Sequence, residues 1–530
     1  MPNSNNYSEI FVFGDSLSDS GSSFALTLGA IPPEPPYFTG RFSNGLVTVE
    51  YLSENLGLTL DPYYDDEAGN NFAVGGATTG TGNTNNDEIA PFLPGVTLPG
   101  VSEQINAYEH SLGDGRADPD ALYVVWAGAN DYLDYLGDVI PADPAFLVES
   151  GIDNTVNNVT HLADLGAENI VVPNLPSLGS LPFSAEFQDE ATALTIAFNG
   201  GLSLALDNLN LGENELETGL IEVDIFTANE NIFANPEQFG LSNVTDPFLL
   251  SGLEPAEMTE FFFWDLFHPT TEVHALFGDT IAQTIDGEIP QAAFNDVIGT
   301  EEQDFIFGTE AEDNIDGLAG NDAIAGGNGD DRLEGWSGKD SLFGNRGNDI
   351  IDGGEDDDLI DGGDGDDLLF GSQGDNTILG GHGKDILIGG SDRDYLQGGS
   401  DADYLLGGAG EDLLLGSEGN DTLNGGDNND LLRGGDGDDL IDGGAGSDTL
   451  FGNDGADIFE LTPNFGSDII KDFQASSDRL KLSGGLSFSD LSFSNSDIFL
   501  TGTNETLATL SGIDTTTLTE SDFIFIEVDS

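Results

Sequence analysis

The sequence predicts an α/β domain followed by an all-β parallel roll. Over residues 1–298, short apolar runs alternate with amphipathic helical stretches, and from Gly299 a nine-residue unit recurs without interruption. Strands alternating with helices argue for a parallel sheet with helices on both faces. A short fixed period argues for stacked turns, each too small to bury its apolar residues alone. A further change of character after residue 460 gives the division 1–298, 299–460 and 461–530.

In the first region the strand candidates are Glu9–Phe13, Ala121–Gly128, Asn169–Pro173 and Leu220–Asp224. Helix candidates lie between them: "VTVEYLSENLG", "VSEQINAYEHSL", "ESGIDNTVNNVTHLADLG" and "EATALTIAFNGGLSLALDNL". In such sheets ligands sit beyond the carboxyl ends of the strands. The run "IFVFGDSLSDSGSSF" climbs through four apolar residues into Gly14, then presents Asp15, Ser16, Ser18 and Asp19 at that edge. Asn130 follows "LYVVWAG" and reaches the same rim.

A serine nucleophile needs a base, and histidine is the usual one. The chain has His110, His161, His268, His274 and His382. His382 belongs to the repeats, and His110, His161 and His274 fall in predicted helices and read as surface residues. His268 differs. Pro269 biases it towards extended backbone and suits the first turn of the helix that follows. His268 then sits on a loop three residues after Asp265, an acid able to hold the imidazole tautomer. G-x-S-x-G, the nucleophile elbow of the α/β-hydrolases, does not occur around Ser16.

Composition narrows the partners. The chain carries 11 Lys and Arg against 99 Asp and Glu, a formal charge of −88. That balance argues against nucleic acid and anionic membranes and for cation binding or a salty medium. No cysteine is present, so disulfides and thiolate metal sites are excluded. The start, "MPNSNNYSEI", lacks a basic n-region and a long apolar stretch, so no cleaved secretion signal is expected there. No run reaches the roughly 18 apolar residues of a transmembrane segment.

Eighteen consecutive nonapeptides run from the one opened by Gly299 to the one opened by Gly452. The eighth position is always Ile, Leu or Phe. The sixth is Asp throughout except at Asn376: Asp304, Asp313, Asp322, Asp331, Asp340, Asp349, Asp358, Asp367, Asp385, Asp394, Asp403, Asp412, Asp421, Asp430, Asp439, Asp448 and Asp457. Glycine-rich turns take positive φ and aim carbonyls inward, and the eighth residue of each short strand points into the core. With two repeats per turn, eighteen make about nine turns, a rod roughly 40 Å long at about 4.8 Å per turn. The Asp carboxylates and turn carbonyls are hard oxygen ligands of the kind Ca²⁺ prefers. Residues 299–460 hold 42 acids and 6 bases, a charge of −36, so folding should be coupled to calcium binding.

The nonapeptide resembles the calcium-binding repeat of RTX proteins. Residues 461–530, with "SDIIKDFQASSDRLKLSG" and a final "DFIFIEVDS", are similar to the C-terminal caps of RTX proteins exported by type I secretion. That resemblance implies an uncleaved C-terminal signal, type I secretion machinery as a partner and an extracellular location.

"FGDSLSDSG" resembles the first block of the GDSL, or SGNH, hydrolases. "NFAVGGATT" (Asn71–Thr79) is similar to their glycine block, "WAGAND" (Trp126–Asp131) to their G-x-N-D block and "DLFHPT" (Asp265–Thr270) to their D-x-x-H block. "GRFSNG" (Gly40–Gly45) resembles the lipase and phospholipase branch. The resemblance implies a flavodoxin-like three-layer fold, with Ser16 as nucleophile, His268 as general base and acid, and Asp265 as its orienter. The oxyanion hole would comprise the N–H groups of Ser16 and Gly76 (Gly75 being the adjacent alternative) and the Asn130 amide. Asp15 and Asp19 would brace the turn. Arg41, one of two cations before residue 299 with Arg116, would hold its loop or else steady an anionic group, the loop being the favoured reading. Ile31–Gly40 and Asp134–Pro144 are candidates to line an acyl groove.

The expected function is a secreted serine lipase or esterase acting through an acyl-enzyme, with structural Ca²⁺ in the roll and no cofactor for catalysis. Its substrate would be an ester or lipid. Carbohydrate O-deacetylation is the alternative chemistry, and a calcium-dependent adhesion protein with an inactive hydrolase-like domain is the alternative class.

Overall fold

The computed structural model describes residues 7–27, 37–38, 41–63, 69–84, 97–113, 115–136, 144–184, 188–211, 219–251, 261–285, 295–309, 311–503 and 505–525. Strands β1 (Ile10–Gly14), β2 (Leu122–Trp126), β3 (Asn169–Pro173) and β4 (Gly219–Val223) form a parallel sheet in that order. All five residues of β2 are buried, and β1 and β3 have one half-buried residue each. Strands covered on both faces read as unbroken apolar runs, which is how these three stand out in the sequence.

Residues 70–74 run along the free side of β1. The Val12 N–H donates to Asn70 O (3.1 Å), and the amides of Phe72 and Val74 donate to Val12 O (2.8 Å) and Gly14 O (3.0 Å). Counting that segment as second in chain order, the sheet runs second, first, third, fourth, fifth. This is the flavodoxin-like order, and it reverses between β1 and β2, the place where such folds hold their ligands.

Helices α1 (Ser22–Leu26), α2 (Thr48–Leu56), α3 (Val101–Leu112), α4 (Ala129–Leu136), α5 (Pro144–Leu165), α6 (Gln188–Leu211), α7 (Ile225–Ala234) and α8 (Thr271–Ile285) lie in the connections. Ile10 and Val12 face a core shared with Val49 and Leu52 of α2, Ile232 of α7 and Val273 and Phe277 of α8. Phe11 and Phe13 point the other way, onto Tyr108 of α3, with ring centroids 4.9 and 5.6 Å apart. The unit is therefore three-layered. Helix α8 approaches α2 through Gly278, where a Cβ would stand 2.9 Å from both Tyr51 Cβ and the Thr48 carbonyl oxygen.

A second compact unit includes Ala293–Ser530. It is a parallel roll of two sheets, with 13 and 12 strands, whose neighbours are 18 residues apart, as in Ser341 opposite Leu359. Two nonapeptides therefore make each turn. The eighth-position residues from Ile315 to Phe459, contributed alternately by the two sheets, form one core of side chains that are at most 1% exposed. At Gly363 φ is +114°, and a Cβ there would collide with the Asn345 carbonyl of the turn below. Strands Asp468–Ile470, Arg479–Leu482, Thr506–Leu510 and Phe523–Phe525 continue the same two sheets past the last repeat. An antiparallel hairpin, Leu491–Ser494 with Asp497–Leu500, ends the larger one. Among the described residues no helix is long and apolar enough to cross a membrane.

Candidate active site

Strand β1 ends where its last residue has no room for a side chain: a Cβ on Gly14 would run into the Trp126 carbonyl. Gln104 of α3, fully buried, fastens that end by accepting from the Gly14 N–H (2.8 Å) and donating to the Gly14 carbonyl (2.9 Å). The chain then turns. Asp15 accepts from the Leu17 N–H through Oδ1 (3.0 Å), and its carbonyl accepts from the Ser18 N–H (3.1 Å), an Asx-type turn that carries Ser16 at its crest. Asp19 accepts from the amides of Gly21, Ser22, Ser23 and Gly75, so one carboxylate ties the turn to the glycine block. Both acids brace the turn.

Residues 261–270 approach from the other end of the unit. Trp264 N–H donates to the His268 carbonyl (2.8 Å), Thr270 N–H to the Phe262 carbonyl (2.8 Å) and Thr270 Oγ1 to the Phe261 carbonyl (2.8 Å), closing a loop just before α8. Within it, Asp265 Oδ1 accepts from the N–H groups of Phe267 and His268, each at 2.8 Å. His268 Nδ1 lies 2.8 Å from Asp265 Oδ2 and 3.0 Å from Oδ1, and its Nε2 lies 3.0 Å from Ser16 Oγ. The acid, imidazole and hydroxyl thus form one continuous relay. The Phe42 ring backs the imidazole at 5.2 Å between centroids.

Burial alone would raise the Asp265 carboxyl. The His268 charge and the donors from His268, Phe267 and Tyr37 outweigh it and hold the group at about 2. Asp15 behaves oppositely. Burial pushes it up to about 7, the Asp131 charge adds to this, and the Leu17 amide and His268 oppose it.

The oxyanion-hole candidates converge on the same rim. The Gly75 N–H is engaged by Asp19 Oδ2 (2.9 Å) and Ser23 Oγ (2.8 Å). The N–H groups of Ser16 and Gly76 have no acceptor among the described residues, which favours Gly76 over Gly75. Asn130 Nδ2 donates to the Ala77 carbonyl (3.2 Å) and to Asp15 Oδ2 (3.3 Å), both long bonds. Its neighbour Asp131 accepts from the Thr79 N–H (3.0 Å) and hydroxyl (2.9 Å), and burial pushes that carboxyl up to about 6.

Arg41 pairs with Glu50 through two bonds of 2.8 and 2.6 Å, so it holds its loop. His110 is exposed and His161 half-exposed. His274 corrects its surface reading: it is 0% exposed, and its Nδ1 lies 2.8 Å from Thr48 Oγ1 where α8 meets α2. The pattern of α8 could not reveal that hydroxyl, which arrives from 226 positions away. Tyr37, whose hydroxyl donates to Asp265 Oδ2 at 2.7 Å, was also missed, as were Gln104, Phe42 and Asp131. Of the proposed groove segments, residues 31–36, 39–40 and 137–143 lie outside the described residues.

In the roll, each sixth-position carboxylate from Asp322 onward accepts, through Oδ1, the N–H of the residue 18 positions earlier, as Asp367 does from Asp349 (2.8 Å). The other oxygen of Asp322, Asp331, Asp340, Asp349, Asp358, Asp367, Asp385, Asp403, Asp421, Asp439 and Asp457 is buried with no hydrogen-bond donor. Without a counter-ion, burial pushes Asp358, Asp403 and Asp439 up to about 8. Asp304, in the first repeat, instead accepts from the Thr300 N–H (2.7 Å) and hydroxyl (2.8 Å). Asn376 turns its amide to the Gly374 carbonyl (3.1 Å).

The family model described as GDSL-like lipase/acylhydrolase matches residues 10–281. The chain belongs to the GDSL-like lipase/acylhydrolase family. Its similar proteins include a phosphatidylcholine-sterol acyltransferase of Aeromonas hydrophila, 29% identical over 332 residues that span 53% of this chain and 91% of that one. A GDSL esterase/lipase of Arabidopsis thaliana is 30% identical over 50% of this chain and 84% of its own. A thermolabile hemolysin of Vibrio parahaemolyticus is 27% identical over 52% and 63%. As a GDSL-family protein the chain is an ester hydrolase.

The RTX calcium-binding nonapeptide model matches six stretches that together cover residues 298–459, and the GDSL domain is thus joined to calcium-binding repeats. The residues fit the ion. The buried Oδ2 atoms are hard anionic oxygens short of a donor, and each lies against the first glycine of its own repeat, in space that a Cβ would fill. No group of three or more carboxylate or imidazole side chains converges among the described residues.

Proposed function

We propose that this chain is an exported serine ester hydrolase that cleaves neutral or zwitterionic lipid esters through an acyl-enzyme on Ser16. The observation that carries this reading is the relay from Asp265 through His268 to the Ser16 hydroxyl, with both bonds at 2.8–3.0 Å.

On this reading the reaction runs as follows. Ser16 Oγ attacks the ester carbonyl carbon while His268 Nε2 takes its proton, and Asp265 stabilises the resulting imidazolium. Negative charge gathers on the carbonyl oxygen, facing the N–H groups of Ser16 and Gly76 and the Asn130 amide. Such donors contribute about 3–4 kcal/mol each to lowering the barrier. Asn130 reaches that position by releasing one of its two long bonds. The intermediate collapses as His268 returns the proton to the departing alcohol. Water, deprotonated by His268, then attacks the acyl-Ser16 ester, and the carboxylic acid leaves.

Charge supports the substrate class. Residues 1–298 hold 46 acids and 2 bases, and both bases are engaged, Arg41 by Glu50 and Arg116 by the Asp164 carbonyl. An anionic head group would meet repulsion with no cation to receive it. The names of the Aeromonas and Vibrio relatives, a phosphatidylcholine-sterol acyltransferase and a hemolysin, are consistent with lipid substrates. Asp265 and its partners would keep their roles on an acetylated carbohydrate, so the assay must separate the two.

Calcium would be held by the sixth-position carboxylates from Asp313 to Asp457, apart from Asn376, with turn carbonyls, and would supply the charge compensation those oxygens lack. Calcium is scarce in cytosol and abundant outside. A roll that orders only in its presence suits export through the type I machinery, unfolded, to an extracellular location.

A fluorophosphonate probe and an ester panel test the reading on full-length, calcium-loaded protein. Wild type should be labelled and should hydrolyse p-nitrophenyl esters and phosphatidylcholine better than acetylated xylan, and Ser16→Ala should do neither. A folded wild type that takes no label would favour the adhesion reading, and a preference for xylan would favour deacetylation.

A further inference from the structure

Among the described residues the Asp265 carboxylate has one partner from outside its own loop. Its Oδ1 is filled by the N–H groups of Phe267 and His268, and both oxygens face His268 Nδ1. The remaining donor is the Tyr37 hydroxyl, 2.7 Å from Oδ2 and 228 positions away in the chain. The Tyr37 ring packs with Phe248, Phe261 and Trp264 and stands edge-on to Phe42 at 6.4 Å, so the phenol is aimed by two sets of aromatic contacts. Phe42 in turn lies against the imidazole.

We propose that Tyr37 is a positioning residue for the hydrolytic reaction. It acts through Asp265, fixing the carboxylate rotation that presents Oδ2 to His268 Nδ1 and drawing off part of its negative charge. The proposal rests on the serine-hydrolase reading above. A hydroxyl bonded to one oxygen of a carboxylate restricts rotation about χ2 and competes with the imidazole for the same lone pairs. The Asp265 side chain is only 13% exposed, so water cannot readily take the place of the phenol. Burial and the Asp265 charge both raise the Tyr37 hydroxyl, which keeps it protonated and donating throughout the working pH range.

The direction of the effect follows. Removing the hydroxyl leaves the ring on its cluster and the D-x-x-H turn intact. Asp265 then bears more charge towards the imidazole and favours its protonated form, so the acidic limb of kcat/KM, which reports the base in the free enzyme, moves to higher pH. Asp15 on the β1 turn and His274 on α8 also lie within electrostatic reach of His268, and the substitution leaves both in place.

The experiment compares wild type, Tyr37→Phe, Asp265→Asn and the double variant, all full-length and calcium-loaded, with p-nitrophenyl butyrate from pH 5 to 9. Rates are normalised to the sites titrated by a fluorophosphonate, which removes any difference in folded fraction. Tyr37→Phe should lower plateau kcat/KM about tenfold, as loss of a hydrogen bond to a charged group does, and raise the acidic midpoint by roughly half a pH unit. In the Asp265→Asn background the same change should cost less than about twofold, because the partner is no longer a carboxylate. A Tyr37→Phe profile superimposable on wild type would overturn the proposal, and so would a tenfold loss persisting in the Asp265→Asn background. A wild type that neither hydrolyses nor labels would bring down both readings together, whereas an active wild type with an unchanged variant brings down this one alone.

Discussion

Chelating calcium should unfold the roll, and the size of the effect follows from its carboxylates. More than ten sixth-position oxygens are buried without a donor. At roughly 1–3 kcal/mol for each unsatisfied buried polar group, and more for a charged one, they represent tens of kcal/mol. A typical folded domain has only about 5–15 kcal/mol of net stability to set against that. The core between the two sheets offers little in return, since each repeat adds one Ile, Leu or Phe to it. Protonation is not a free escape: burial pushes groups such as Asp358 and Asp403 up to about 8, so a metal-free roll at neutral pH must take up protons that the unfolded chain does not hold, which disfavours folding. Far-UV circular dichroism of the full chain in calcium and in EGTA, at low salt and pH 7.5, measures the outcome. Most of the strand signal of residues 295–525 should vanish in EGTA and return cooperatively on calcium addition. A strand signal unaltered by chelation would refute the reasoning.

Asn376→Asp should replace an amide satisfied by Gly374 with a carboxylate oxygen like its neighbours', raising the melting temperature of the roll in calcium and lowering it in EGTA. Asp265→Asn should cut kcat by about ten-thousand-fold through the wrong imidazole tautomer, measured on p-nitrophenyl esters. The Asp265 carboxyl sits at about 2, below its ordinary 3.8, so its stabilisation is present above pH 4 and lost as pH falls towards 2. Wild type should lose about 2 kcal/mol there that Asp265→Asn does not, read from urea midpoints. Asp15 is raised to about 7, so its effect has the opposite sign: its stability is fully present below pH 4 and lost as pH rises through 7. Asp15→Asn should therefore flatten the decline in melting temperature between pH 4 and pH 8.

Much of this was legible in the sequence, where the physics is local or periodic. β1 and β3 lie within one residue of the apolar runs that announce them, since a strand buried on both faces cannot hide. The roll reads at once because its period repeats. The His268 loop was legible through Pro269. The rest depends on long-range encounters with no pattern along the chain. Tyr37 sits in "PPYFTG", where nothing distinguishes a donor to Asp265 from a groove-lining aromatic. Gln104 lies on a helix that was expected, yet its task of fastening both backbone groups of Gly14 depends on where that helix lands. His274 was misread for the same reason. Its partner, Thr48, lies on another helix.

One residue type meets three fates here, and its surroundings sort them. Asp265 gathers two amides, a phenol and an imidazole, keeps a little exposure, and stays ionised at about 2, as an orienter of histidine must. Asp15 is buried and Asp131 half-buried, each with fewer donors, and desolvation wins: they rise to about 7 and 6, and both sit in the turns that shape the rim. Eleven of the roll carboxylates, Asp367 among them, receive one backbone N–H at Oδ1 and no donor at the buried second oxygen. Only a cation can leave them both buried and charged. The candidate rim carries its own compensation within the protein, whereas most turns of the roll are short of a donor, and that shortage is the reason to expect folding coupled to calcium.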